Sequence, residues 1–222
     1  MNNFLHYLFP RRCAVCGCVI RHNEFLCEDC ESRIEYIDSK CCKRCGLPKK
    51  RCECKRYAYH FRALVSPFLN KDAAQDGIYG FKFRKNRDAA EFFAQNIVKQ
   101  INERIDGVSF ECVTSVPMHK TKRRTTGFDH AEILARAVAR ELKLPYKRLL
   151  VKTVNNKTQH TLKAAERFSN VKNVYKVKGK IPSSVLLVDD IKTTGATLDE
   201  CSRRLMLAGC DDVYCATAVI GT

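Results

Sequence analysis

The sequence predicts an α/β protein: a parallel sheet covered by helices on both faces, preceded by a small cysteine-rich, zinc-binding module. Three observations carry this expectation. Short runs such as Val185–Val188 are apolar throughout, as parallel strands buried on both faces are, whereas a half-exposed strand alternates. Between these runs lie longer stretches whose apolar residues recur at helical spacing. Ten of the 14 cysteines crowd between Cys13 and Cys54, leaving Cys112, Cys201, Cys210 and Cys215 for the remainder. The 222 residues allow one full core and a small module, since domains run to about 100–200 residues. The expected division is 1–57 for the module and 58–222 for the body.

In the module, Cys13-x2-Cys16 and Cys27-x2-Cys30 form two knuckles, followed by Cys42-x2-Cys45 and the tighter Cys52-x-Cys54. Two cysteines at this spacing turn both sulfurs toward one cation, and two such turns complete a tetrahedron around zinc. Sequential pairing gives one site from Cys13, Cys16, Cys27 and Cys30 and a second from Cys42, Cys45, Cys52 and Cys54. A crossed arrangement joining the first knuckle to the third is the alternative, with Cys18 and Cys41 as spare thiols able to substitute. One or two Zn²⁺ ions are expected. With no histidine or carboxylate to hold an open coordination position, the metal is structural rather than catalytic. So short a segment has too little apolar content to fold without it.

The body's elements follow in order. Phe61 to Phe68 reads as a first strand. Ala89, Phe92, Phe93, Ile97 and Ile101 mark a helix from Asp88 to about Ile105, and Cys112–Val116, stopped by Pro117, a buried strand. A basic loop then leads to a helix from Asp129 to Leu142, striped by Ala131, Leu134, Ala135, Val138 and Leu142. Val185–Val188 is a strand, Ala196–Leu207 a helix and Val213–Val219 the last strand.

No apolar run approaches the roughly 20 residues of a membrane span, and Phe4 to Phe9 lacks the flanks of a signal peptide. A soluble cytoplasmic protein without membrane insertion is expected, and a reducing compartment favours metal over disulfides. The formal charge is +16; each zinc held by four thiolates carries about −2, so two sites bring it to about +12. So basic a chain attracts phosphate-rich partners. The nominated nucleic-acid contacts are Arg84, Lys85, Lys122, Arg123 and Arg124. Tyr57, Tyr59, Phe61, Phe81 and Phe83 are interleaved with the basic clusters as stacking candidates, although Phe61, Phe81 and Phe83 are better read as core.

The segment Val185–Leu198, VLLVDDIKTTGATL, holds the chemistry. Ligands of open α/β sheets sit beyond the carboxyl ends of strands. There Asp189 and Asp190 are followed by a loop entering a helix, whose exposed amides and positive dipole end favour an anion. Gly195 admits close backbone approach, and Thr193, Thr194 and Thr197 add hydroxyl donors. Two carboxylates beside a phosphate would repel it unless the same ligand offers vicinal hydroxyls or a bridging Mg²⁺. A sugar phosphate meets both conditions.

These residues resemble the phosphoribosyl-pyrophosphate (PRPP) signature of type I phosphoribosyltransferases. The wider chain is similar to the ComF (ComFC) competence family, which joins a cysteine zinc module to a phosphoribosyltransferase-like domain. The likeness includes Cys45-Gly46-Leu47-Pro48, Phe81-Lys82-Phe83, Val116-Pro117 leading to Gly127-Phe128, and Gln159-x2-Leu162 through Arg167 and Asn170. It implies that Thr193, Thr194, Gly195, Ala196 and Thr197 hold a 5′-phosphate and that Asp189 and Asp190, the catalytic candidates, contact the ribose hydroxyls. Lys82, on a loop between strand and helix, approaches the pyrophosphate, and Mg²⁺ accompanies PRPP. One departure stands out. The family has arginine before Gly-Phe and an Asn-Gln pair after it, whereas this chain reads Thr126-Gly127-Phe128-Asp129-His130. The resemblance implies a protein handling single-stranded DNA in natural transformation, with PRPP binding as a structural or regulatory property. A working phosphoribosyltransferase on a nucleobase or similar nitrogen acceptor is the alternative, and the zinc head is a further candidate for docking DNA-uptake or DNA-processing proteins.

Overall fold

A computed structural model describes residues 10–221 except 39, 53, 56, 84–86 and 155–170. The strands are β1 (Leu64–Val65), β2 (Phe68–Leu69), β3 (Cys112–Ser115), β4 (Leu150–Lys152), β5 (Tyr175–Val177), β6 (Ser184–Lys192) and β7 (Asp212–Ile220). The helices are α1 (Glu28–Arg33), α2 (Asp72–Phe83), α3 (Arg87–Arg104), α4 (Lys120–Thr126), α5 (His130–Glu141) and α6 (Ala196–Leu207). The main sheet runs β1-β7-β6-β3, with β2 also on β7, and every pairing is parallel. Its two faces fill two cores, as the expected architecture requires. Leu186, Val188, Ala216 and Ala218 point to a core shared with α2, α3 and α5. Val185, Leu187, Val213 and Cys215 point the other way, to α6 and the antiparallel hairpin β4–β5.

The head belongs to both cores. Cys13, Ala14, Val15 and Cys30 pack into the first, and Cys41, Cys45 and Leu47 into the second. Between the clusters, Tyr36 bridges antiparallel to Phe68, and the Ile37 amide donates to the Pro67 carbonyl at 2.8 Å, so the head wraps the β2 edge of the sheet. Covering an edge in this way removes unpaired backbone groups from solvent.

Several elements differ from expectation. The first strand breaks into β1 and β2 at Ser66-Pro67, because proline has no N–H for the ladder. Helix α2 was not foreseen; its interior holds Gly77 and Gly80, which disfavour a helix by propensity. Their smallness serves packing: a Cβ on Gly77 would sit 3.3 Å from both Phe93 Cζ and Val15 Cγ2. Lys82 therefore lies in the last turn of α2 and not on a loop. The basic loop after β3 contains α4, which His119 caps by accepting from the Thr121 amide and Gly127 ends at φ +80°. Finally, β6 does not stop at Val188; Asp189 and Asp190 are strand residues, with Asp189 opposite Thr217 on β7.

Candidate functional site

Four sulfurs about 2.3 Å from one tetrahedral zinc lie about 3.8 Å from one another. Cys16 and Cys27 Sγ are 3.8 Å apart, Cys42 and Cys54 3.6 Å, and Cys45 and Cys52 3.7 Å. Cys13, Cys16, Cys27 and Cys30 form one group and Cys42, Cys45, Cys52 and Cys54 the other, each with its sulfurs within 4.8 Å. The sulfurs thus follow sequential pairing, not the crossed one, and their spacing fits Zn²⁺ as a structural ion. Helix α3 clamps both groups. Arg11 pairs with Glu91 and the Arg12 amide donates to Asp88 at the first, while Arg104 donates to the Cys42 carbonyl at 3.0 Å at the second.

At the carboxyl end of β6, Asp190 Oδ2 lies 2.9 Å from Lys82 Nζ, which comes from the last turn of α2. The Asp190 amide donates to Asp189 Oδ1 at 2.9 Å. Burial, then the neighbouring Asp190, push the Asp189 carboxyl well above its ordinary range. Such a pair accommodates a proton, a cation or hydroxyl donors more readily than a second anion.

Directly after β6 the chain turns through Thr193, Thr194 and Gly195 into α6. Gly195 is the N-cap residue, at φ +81°, and has no side chain to cap the helix. The Ala196 amide donates to Thr194 Oγ1 at 3.3 Å. Among the described residues, none accepts from the amides of Thr193, Thr194 or Gly195. Three consecutive donors at a helix N-terminus make a cradle for a small anion.

The cradle is braced from beneath. Lys192 is 1% exposed and runs under Gly195, and the Tyr59 hydroxyl donates to the Thr194 carbonyl at 3.1 Å. His60 secures the first turn of α6, its amide donating to Asp199 Oδ1 at 2.6 Å. Tyr175 makes a hydrogen bond with Thr197 from β5. None of these supports was read from the sequence. Tyr59 drew notice only as a stacking candidate, yet it is 2% exposed and stacks on Phe61 at 4.7 Å. A buried tyrosine needs a partner for its hydroxyl, but sequence could not say which.

The departure from the family loop also has a structural use. Asp129 caps α5 by accepting from the Glu132 amide and takes the Met118 N–H at 3.0 Å, while burial raises its carboxyl pKa. His130 Nε2 lies 2.9 Å from the Lys82 carbonyl, joining α5 to the end of α2.

Of the nominated nucleic-acid contacts, Arg84 and Lys85 lie outside the described residues, as do Gln159, Leu162, Arg167 and Asn170. Lys122, Arg123 and Arg124 are together on α4, with Lys122 and Arg124 exposed. Arg123 pairs with Glu132 at 3.3 Å. Glu132 also binds Arg136 at 2.9 Å and Arg148, the two arginines sequence reading missed. Phe61 and Phe81 are core as expected, but Phe83 is 67% exposed.

Residues 4–60 match the family model for a double zinc ribbon domain. The competence protein ComFC of Bacillus subtilis is 26% identical over 203 residues, covering 86% of this chain and 82% of its own. The DNA utilization protein YhgH of Escherichia coli is 24% identical over 194 residues, covering 83% and 85%. A hypoxanthine phosphoribosyltransferase from Trypanosoma cruzi covers 59% of this chain and 64% of its own at 13% identity, with a TM-score of 0.36, too loose a likeness to carry weight. No helix among the described residues is long and apolar enough to cross a membrane. With two four-cysteine clusters ahead of a parallel α/β body, the chain is similar to the competence protein ComFC along most of its length.

Proposed function

We propose that this protein serves DNA handling in competence, binding single-stranded DNA on a basic surface and PRPP with Mg²⁺ in the cleft at the end of β6. The observation that carries the PRPP half is the cradle of three consecutive amides beside paired carboxylates, with a lysine 2.9 Å from one of them. In this reading the Thr193–Thr197 turn takes the 5′-phosphate. Asp189 and Asp190 accept from the ribose hydroxyls, and Lys82 leaves Asp190 for the pyrophosphate as the ligand enters. Mg²⁺, when bound, neutralises pyrophosphate charge. Exchanging one partner of Lys82 for another keeps its cation satisfied throughout.

The DNA half rests on the strongly basic chain, formally +16, and on relatives named for competence and DNA utilization. Single-strand binding to cations falls with salt, with a log–log slope of about −0.7 for each phosphate neutralised.

Calorimetric titration with PRPP and Mg²⁺, with and without an oligothymidylate, tests both halves. Expected are saturable PRPP binding, lost in Asp190→Ala, and oligonucleotide binding that weakens steeply from low to moderate salt. No PRPP binding refutes the first half; salt-independent or absent oligonucleotide binding refutes the second. Pyrophosphate release on adding a nucleobase would instead make the protein a transferase.

A further inference from the structure

Two large aromatic side chains stand in solvent on α2, one helical turn apart. Tyr79 is 57% and Phe83 67% exposed, and their rings touch at 4.6 Å between centroids, tilted by 41°. Scattered exposed apolar residues need no explanation. A contacting pair on the outer face of a helix presents π-surface that remains exposed among the described residues. Its position narrows what covers it, because Phe83 follows Lys82 and precedes the basic run Arg84-Lys85-Asn86-Arg87 in sequence.

The end of α2 is fixed to a second charged feature. His130 holds the Lys82 carbonyl, and two residues further along α5 Glu132 gathers Arg123, Arg136 and Arg148. Glu132 is 9% exposed, whereas the three arginines are 43%, 57% and 45% exposed. One buried carboxylate thus holds three guanidinium groups at the surface with a net excess of positive charge. Arg136 is further fixed over the Tyr146 ring at 4.3 Å. Fixed guanidinium groups lose less freedom on meeting a phosphate than mobile ones do. Lys122, exposed on α4, is next to Arg123 in the chain.

We propose that single-stranded DNA crosses this corner, its bases stacking on Tyr79 and Phe83 and its backbone phosphates lying on Lys122, Arg123, Arg136 and Arg148. The proposal rests on the DNA-handling reading above and names its surface. Aromatic faces for bases and cations for phosphates are the two components of sequence-tolerant single-strand binding. Duplex DNA offers the phosphates but hides the base faces, so the aromatic pair selects for single strands.

Fluorescence anisotropy with a labelled oligothymidylate tests this on the full zinc-loaded chain. Tyr79→Leu/Phe83→Leu retains apolar bulk on an exposed helix face but removes the π-faces. It is expected to weaken single-strand binding by about fivefold or more, leaving the affinity for a duplex of equal length unchanged. Arg136→Gln/Arg148→Gln is expected to flatten the salt slope by up to about 1.4, at about 0.7 for each phosphate contact. The chain has no tryptophan, so Phe83→Trp supplies a single reporter; oligothymidylate is expected to quench it, with the same midpoint as the anisotropy. Circular dichroism and zinc content verify folding, and the exposed Phe83→Trp change decides the question should the arginine variant fail to fold. Wild-type protein that ignores oligonucleotides refutes the DNA-handling reading, and this surface with it. Salt-dependent wild-type binding with unaltered leucine-variant affinity, or indole fluorescence of the Phe83→Trp variant left unquenched at saturation, overturns this surface alone. A leucine variant that changes only the sedimenting mass shows the pair to be a contact between copies, which also overturns it.

Discussion

Replacing Gly195 by alanine probes the cradle with one methyl group. Its φ of +81° puts an L-residue in the left-handed region, at a cost of about 1–2 kcal/mol. The added Cβ would also lie 3.1 Å from Lys192 Cε and 3.1 Å from Tyr59 Cε1. The lysine stem can yield, but the ring is held at its hydroxyl by Thr194 and on its face by Phe61. The turn must move instead, carrying the amides of Thr193, Thr194 and Gly195 out of register. Gly179, at φ +80° with nothing within 4 Å of its Cβ, supplies the control for backbone strain alone. Both Gly195→Ala and Gly179→Ala should lower the melting temperature, at about 2–4 °C for each kcal/mol in a chain of this size. Only Gly195→Ala should lose PRPP affinity, by about tenfold or more, the equivalent of one charge-assisted hydrogen bond. Thermal melts and PRPP titration of the two variants decide the matter. Equal PRPP affinities would mean that the turn binds no phosphate, and the cradle argument fails.

Gly46→Ala should be far more damaging, since its Cβ would fall 2.4 Å from Leu64 Cδ2 in a close seam between the second cysteine cluster and the sheet; urea unfolding should show a loss of several kcal/mol, of the order of overpacking plus left-handed strain. Burial works against ionisation of Glu132, but Arg136 and Arg148 overcome it and hold the carboxyl below its ordinary 4.5. A depressed carboxylate pKa stabilises the fold above the unfolded value and ceases to as pH falls through the folded one. Glu132→Gln should therefore cost roughly 1–3 kcal/mol at pH 7, a difference from wild type that shrinks below pH 4.5 in urea midpoints. Because the head contributes to both cores, removing zinc should lower the melting temperature of the body as well as that of the head; a body transition unmoved by a strong zinc chelator in calorimetry would contradict the shared packing.

Local pattern made the chemical core of the molecule legible. Cysteine spacing foretold the eight sulfurs that gather, with the choice between sequential and crossed pairing left to the structure, and the apolar run into Asp189-Asp190 foretold a strand end facing a helix N-terminus. Helix α6 has the expected bounds, Ala196 to Leu207, because Gly195 and the Leu198, Cys201, Leu205 stripe mark both its start and its face. What escaped depends on partners distant in sequence. Helix α2 carries glycine where α3 and Val15 crowd it, so its small residues look like breakers until the neighbours are known. The β4–β5 hairpin joins Leu150 to Val177 and Lys152 to Tyr175 across a long connection that no local turn signal announces. Tyr59 and Thr194 are 135 positions apart. The acid pair was visible as chemistry, but its depth in β6 was not, because polar residues usually end a buried run and here Thr217 faces Asp189 within the sheet.

The bracing contacts give the zinc head a reason to sit beside an anion cradle. Arg44, between the knuckle cysteines Cys42 and Cys45, donates to the Tyr59 carbonyl; the Tyr59 hydroxyl donates to the Thr194 carbonyl; and His60 holds Asp199. The second metal cluster is thus two hydrogen bonds from the turn. Fixing a backbone residue costs roughly 1–2 kcal/mol of conformational entropy, so a three-residue turn left mobile would forfeit several kcal/mol of ligand affinity on closing. A rigid head meets that cost during folding instead. Linkage makes the effect reciprocal: if zinc in the second cluster favours the ordered turn, a phosphate ligand in the turn favours retention of that zinc. The first cluster is tied through Arg11 and Arg12 to the start of α3, whose far end reaches the second cluster through Arg104 and Cys42, a longer route to the turn. PRPP should therefore slow chelator-driven zinc release more in one kinetic phase than in the other. Cys16→Ser should remove the less protected phase, and Tyr59→Phe, which lacks only the hydroxyl, should abolish the protection. Equal protection of both phases would place the coupling in global stability and not in Tyr59.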